Sequence, residues 1–271
     1  MVKDLDQFFE LFEAELRMNS ELTGYHRFTN SEKMYEFRKA YIKQRIQYVV
    51  DSVRKSNSKI WDVGCGFGTT SILLALLGHE VVGTTLEFYY NSIDERIKYW
   101  EQYGDLSKLS FAYENIYTQD HKEDEFDYVI AQDTLHHLEP FSDAVHIIYK
   151  TLKKGGELIA VEENGDNVIN NAKNFKRRGF KRVTTFYDEK LGQNISFGDE
   201  NTRNLEKWKK EFSVAPFNFI DDSVEYVRFY WPRAYRRHSV EEILEKEKRL
   251  WKKSAWRRKY LFFGLNFRVQ K

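Results

Sequence analysis

The sequence predicts an α/β fold, and three observations predict it. Between residues 59 and 163, short apolar stretches alternate with stretches of helical periodicity. The apolar stretches read as strands buried on both faces, which argues for a parallel sheet with helices on either side. A turn with three glycines, Gly64-Cys65-Gly66-Phe67-Gly68, joins the first strand to a helix start at Thr69-Thr70-Ser71, the order a nucleotide-like ligand needs.

Element by element, Leu5, Phe8, Phe9, Phe12 and Leu16 recur at helical spacing over residues 4–18, and Asp4 with Gln7 resembles a capping box. A second helix over 31–53 carries Met34, Phe37, Tyr41, Arg45 and Val49 on one side, and residues 55–58 form a polar break. Strands are predicted at 59–63, 80–84, 109–113, 126–131 and 157–162, with helices at 70–77, 91–103 and 142–152. After Glu163 the rhythm gives way to a polar, basic stretch, then a short helix at 202–212. The tail reads as strand 224–230, helix 239–259 opened by a Ser239/Glu242 capping box, and strand 260–269. No internal repeat or flexible linker interrupts the chain, so it reads as a single domain.

Composition excludes several classes. With 41% hydrophobic and 31% charged residues and only 3 Pro, the chain has the content of a packed globule rather than a disordered segment. One Cys cannot form an internal disulfide, no Cys/His spacing fits zinc, and a reducing cytosol is expected. Acids at Asp4, Asp6, Glu10, Glu13 and Glu15 oppose a signal peptide, and the longest apolar run, 72–78, is far short of the roughly 20 residues that span a bilayer. A cytoplasmic protein is expected. A formal charge of +1 creates no global field for nucleic acid, and none is expected as a partner.

The glycine spacing narrows the ligand. A dinucleotide fingerprint is G-x-G-x-x-G; here the last interval is one residue shorter, and Asp62 stands two residues before Gly64. That acid would repel a pyrophosphate and would welcome a ligand with a cationic amino group.

Residues 61–68, Trp-Asp-Val-Gly-Cys-Gly-Phe-Gly, resemble the first motif of class I S-adenosylmethionine-dependent methyltransferases. Residues 126–138 resemble the family's fourth motif, and Leu152 to Leu158, with Gly155-Gly156, resembles the turn into its fifth strand. The group resembled is the broad small-molecule one that includes quinone-biosynthesis and natural-product enzymes. The resemblance implies a Rossmann-like, doubly wound, seven-stranded sheet with the last strand antiparallel, N-terminal helices and an insertion after strand 5. In residue terms this is a helical cap (1–58), a cofactor-binding core (59–163), a substrate lid (164–215) and C-terminal strands and helix (216–271).

The activity implied, in class EC 2.1.1, is methyl transfer from S-adenosyl-L-methionine, released as S-adenosyl-L-homocysteine, to an O, N or C nucleophile of a small acceptor. Asp62, Gly64, Cys65, Gly66 and Gly68 would receive the cofactor's amino-acid end. The usual ribose-binding acid falls at Thr85, and the nearest carboxylate, Glu87, is favoured for that role because it lies 19 residues after Gly68. Asn115 and Ile116 would meet the adenine, and Gln132 would complete the cofactor set. No metal is required. His136 and His137 are candidates for a base. Glu163, with Glu162, ends the fifth strand at the edge where open α/β sheets bind ligands.

For each of these candidates a packing role is the alternative. Tyr25, Phe28, Phe186, Tyr187 and Phe197 favour an apolar or aromatic acceptor. The basic run 173–182 and the basic amphipathic helix 239–259 could attract an anionic substrate or a membrane surface. The competing functions are an RNA or protein methyltransferase and a non-catalytic cofactor-binding protein at a membrane.

Overall fold

The structure, a computed structural model, describes residues 2–28, 32–86 and 88–271. Helix α1 (Leu5–Met18) opens as predicted: the Asp4 carboxylate accepts from the Gln7 backbone N–H at 2.9 Å, and the Gln7 side chain accepts from the Lys3 N–H at 3.0 Å. Short α2 (Ser20–Tyr25) follows, and α3 (Glu32–Ser52) completes the N-terminal helices.

The alternating core contains β1 (Lys59–Val63), α4 (Thr69–Leu76), β2 (Glu80–Thr85), α5 (Ile93–Trp100), β3 (Leu109–Tyr113), β4 (Phe126–Gln132), α6 (Phe141–Thr151) and β5 (Leu152–Glu163). Next come α7 (Val168–Arg178), β6 (Val183–Asp188), β7 (Gln193–Gly198), α8 (Leu205–Phe212) and β8 (Asn218–Val227). The chain finishes with α9 (Val240–Lys253), α10 (Ala255–Leu261) and β9 (Gly264–Gln270).

Seven strands form one sheet in the order β3-β2-β1-β4-β5-β9-β8. Strands β1 to β5 are mutually parallel; β9 pairs antiparallel with both β5 and β8, so it alone runs against the rest. This is the doubly wound, Rossmann-like sheet the sequence predicts. The strand order reverses between β1 and β4, and the crevice outside their carboxyl ends is where such sheets hold ligands.

Alternation along β1 feeds two cores. Ile60 joins Phe8, Phe12, Val49, Ile72 and Trp100 on one face, while Trp61 joins Val129, Ile148, Trp208 and Phe267 on the other.

Three expectations need correction. The stretch after Glu163 contains α7 and a two-stranded hairpin, β6–β7, neither of which the sequence announced. Its first strand is largely exposed, so the apolar alternation that reveals strands is missing. The helix expected over 239–259 is two helices: Ser254 is extended (φ −136°), and its side chain accepts from the Arg257 N–H to start α10. The amphipathic period runs on both sides of that break, which hid it. Finally, β8 begins at Asn218 and β9 at Gly264, shifted from the strands expected at 224 and 260. Among the described residues no helix is long and apolar enough to cross a membrane.

Candidate active site

A cavity of about 980 Å³ opens at the carboxyl ends of β1, β2 and β4, roofed by the β6–β7 hairpin and walled by α2 and α3. Of the candidate residues in the described part, all line it except Gly68, Glu162 and Phe28, and they divide between two ends.

At the glycine end, Gly66 adopts φ +55° and Gly68 φ +71° as the N-cap of α4, both left-handed conformations that an L side chain resists. A Cβ on Gly66 would lie 2.4 Å from the Tyr25 hydroxyl. The space over that glycine is therefore filled by α2 rather than standing open.

Asp62 is 2% exposed, and its Oδ2 accepts from Ser71 Oγ at 2.6 Å. Burial raises this carboxyl to about 6 despite the Ser71 hydrogen bond. No ion pair to it exists among the described residues. A desolvated carboxylate without a cation, lining a cavity at the glycine turn, fits a group with a cationic amino end. Thr85 is buried at the end of β2, and Asn115 and Ile116 are buried just beyond β3. Asn115 Oδ1 accepts from the Tyr117 N–H at 3.2 Å, and its amide donates to Gln193 of the hairpin at 3.5 Å. Gln132 Oε1 accepts from Thr70 Oγ1 at 2.5 Å. Cys65 also lines the cavity, and burial pushes its thiol up, away from nucleophilic use. Glu87, favoured for the ribose from sequence, lies outside the described residues.

At the other end the two histidines differ. His136 is 2% exposed and its Nδ1 lies 2.5 Å from Glu162 Oε2. Glu162 Oε1 in turn accepts from the Thr134 and Leu135 N–H groups at 3.0 and 2.7 Å. Burial opposes the imidazolium, but the Glu162 carboxylate wins and pushes His136 up to about 9. His137 stacks on Phe197 with ring centroids 4.4 Å apart, and its Nδ1 meets the Gly198 carbonyl at 2.7 Å. Burial, with the adjacent His136, holds it below its ordinary value. His137 Nδ1–H thus donates to a carbonyl, leaving Nε2 with its lone pair. Glu163 also lines the cavity; burial raises its carboxyl, and Asn170 Nδ2 donates to its Oε2 at 3.2 Å.

The cavity also holds residues that sequence reasoning missed. Asp133, at φ +52°, accepts from Arg45 Nη1 at 2.7 Å and from the Tyr41 hydroxyl at 3.4 Å, while its Oδ1 is buried without a partner. Arg228 stacks on the Tyr41 ring at 4.4 Å from the centroid, and Arg38 lies 5.9 Å from the same centroid. Neither Arg38 nor Arg228 makes an ion pair among the described residues. The available signal was Arg45 on the otherwise apolar side of α3; Arg228 and Glu200, arriving from distant loops, gave none.

Residues 61–160 match the family model described as a methyltransferase domain. None of the curated proteins matches the chain. Solved structures share its fold. One is an S-adenosylmethionine-dependent methyltransferase from Mesorhizobium loti, at 13% identity and TM-score 0.52 over 83% of this chain and 96% of that one. Another is a SAM-dependent methyltransferase from Archaeoglobus fulgidus, at 13% identity and TM-score 0.55 over 85% and 93%. A third, the cyclase SpnF, reaches TM-score 0.56 at 15% identity over 88% and 82%, so this fold also serves proteins named for other reactions.

Proposed function

We propose that this chain, a class I S-adenosylmethionine-dependent methyltransferase by its residues 61–160 and its fold, methylates a small molecule carrying an anionic or oxygen-rich group. Asp62 is the observation that carries the reading: its buried carboxylate beside the left-handed turn wants a cation, and the cofactor's amino group supplies one. The Gly64–Gly68 backbone would lie against the cofactor's amino-acid end, Thr85 and Glu87 near the ribose, and Asn115 and Ile116 at the adenine. When bound, the sulfonium provides an activated methyl group, so the protein chiefly aligns and desolvates the acceptor.

For the acceptor, Phe186, Ile195 and Phe197 of the hairpin offer an apolar wall, which supports an apolar or aromatic body. Arg38 and Arg228 also line the cavity and make no ion pair among the described residues, which supports an anionic group on the acceptor. Glu163, with its raised affinity for a proton, is the acceptor for any proton the nucleophile releases. His136 is too firmly paired with Glu162 for that task. A cytoplasmic location belongs to the same proposal.

The test is calorimetric titration with S-adenosylmethionine and S-adenosylhomocysteine, followed by labelled-methyl transfer to a panel of hydroxy acids and phenols. Absence of heat with either nucleoside refutes the reading.

A second reading has one observation behind it. Phe180 is 90% exposed beside Phe175, which is 53% exposed, at the basic end of α7. That surface suits an anionic membrane, and sedimentation with anionic vesicles tests it.

A further inference from the structure

We propose that His136, His137 and Glu200 form a binding site for one divalent transition-metal ion, with its open coordination positions facing the acceptor end of the cavity. One ligand atom from each lies within 4.8 Å of the other two, and all three residues line the cavity. Each histidine is already oriented through its other nitrogen. His136 Nδ1 is engaged by Glu162 at 2.5 Å and His137 Nδ1 by the Gly198 carbonyl at 2.7 Å. Metal-binding histidines are held in this way, by a carboxylate or a carbonyl on the nitrogen away from the ion. Each Nε2 is left without a hydrogen-bond partner from these contacts, and the His136 Nε2 to Glu200 Oε2 distance is 3.8 Å.

The third ligand is brought in by the hairpin, and the approach is fixed. A Cβ at Gly198 would lie 2.1 Å from the His136 carbonyl oxygen, so only glycine lets the end of β7 sit this close to the histidine turn. An isolated bridge pairs Leu138 with Phe197. The Glu139 carboxylate accepts from Asn201 Nδ2 at 2.5 Å and from Arg203 Nη2 at 2.9 Å, tying down the far side of the Glu200 loop. Ligands on one ion at about 2.0–2.2 Å stand roughly 3 Å apart, so the three side chains have to close by up to about 2 Å. The partly exposed Glu200 side chain has room to move. The ion takes the position of the proton on His136 Nε2 while Nδ1–H stays on Glu162.

Two imidazoles and one carboxylate suit Zn²⁺, Fe²⁺, Mn²⁺ or Co²⁺ rather than Ca²⁺ or Mg²⁺, which favour oxygen ligands. Three protein ligands leave positions for a bidentate oxygen donor such as a vicinal diol or a 2-hydroxy acid. That ligand class rests on the methyl-transfer reading; the metal site does not. The sequence could not show it, because Glu200 follows His137 by a whole insertion.

The test titrates chelator-treated protein with Co²⁺ and Zn²⁺, following heat and the visible Co²⁺ bands. One ion per chain is expected. Glu200→Gln and His137→Asn should each weaken binding by at least the roughly 10–100-fold that even outer-sphere partners contribute. His146→Ala, an exposed histidine on α6, should change nothing. No stoichiometric binding, or binding indifferent to Glu200→Gln while far-ultraviolet circular dichroism shows the variant folded, overturns the site. Heat with S-adenosylmethionine but none with either metal refutes this inference alone. Metal binding without nucleoside binding refutes the methyl-transfer reading and leaves the site standing. Equal methylation of diols by metal-free and metal-loaded protein overturns the ligand class.

Discussion

Arg96 of α5 and Glu15 of α1 face each other through two parallel hydrogen bonds, Nε to Oε1 and Nη2 to Oε2, both 2.7 Å. Both side chains are buried, and the third guanidinium nitrogen donates to the Phe67 carbonyl in the glycine turn and to Thr69 Oγ1. Trp100 Nε1 also donates to Glu15 Oε2, at 2.9 Å. The N-terminal helix is thus bolted to the turn that shapes the cavity.

Removing one partner leaves a buried charge. Arg96→Met should destabilise the fold by about 3–5 kcal/mol, while the double variant with Glu15→Met should recover much of the loss. Urea unfolding of the four proteins of the cycle measures this.

Asp62 predicts a pH dependence. Its folded-state value of about 6 exceeds the ordinary 3.8, so between those values the folded protein holds a proton that the unfolded chain has released. This group's contribution to stability is fully present below about pH 4 and is lost as pH rises through 6. A cationic ligand selects the ionised form, so affinity for S-adenosylmethionine should fall roughly tenfold per pH unit below 6. Calorimetry at pH 5, 6 and 7 checks both, and Asp62→Asn should flatten the affinity profile while binding more weakly.

Gly66→Ala faces both a left-handed backbone and the Tyr25 hydroxyl at 2.4 Å. The backbone part costs about 1–2 kcal/mol. Tyr25→Ala in the same chain should restore the melting temperature only in part, and full recovery would show that the conformation of residue 66 is immaterial.

At the acceptor end, Glu163→Gln should lower kcat about 10²–10⁴-fold without altering nucleoside affinity. The parent's rate should rise with pH through the elevated Glu163 value, a limb absent from the variant. Arg38→Ala should instead raise KM for an anionic acceptor and leave kcat near the parent's. Steady-state kinetics on the first acceptor found separates the two.

The parts legible in the sequence are those governed by local rules. Strand β1 at 59–63 is legible from the buried Ile60, Trp61 and Val63 around Asp62, and β3 at 109–113 from its apolar and aromatic Leu109, Phe111, Ala112 and Tyr113, although these are only partly buried. The glycine turn was legible because three left-handed positions leave little chemical choice. Asp62 stands two residues before that turn and Asn115 two residues beyond β3, and both line the cavity. The β6–β7 hairpin escaped notice because most of β6 faces solvent, and the break at Ser254 was masked by continuous amphipathicity. Asp133, Arg45 and Arg228 converge only in three dimensions, from β4, α3 and the end of β8.

The hairpin roof reaches both ends of the cavity. Near Asn115, the Tyr113 hydroxyl donates to Asp188 at 2.6 Å and Lys190 caps the Tyr113 ring at 4.1 Å; at the histidine turn, Phe197 covers His137. On the proposed reading, one ribbon spans both the donor and the acceptor positions, so its opening would have to serve the release of both products.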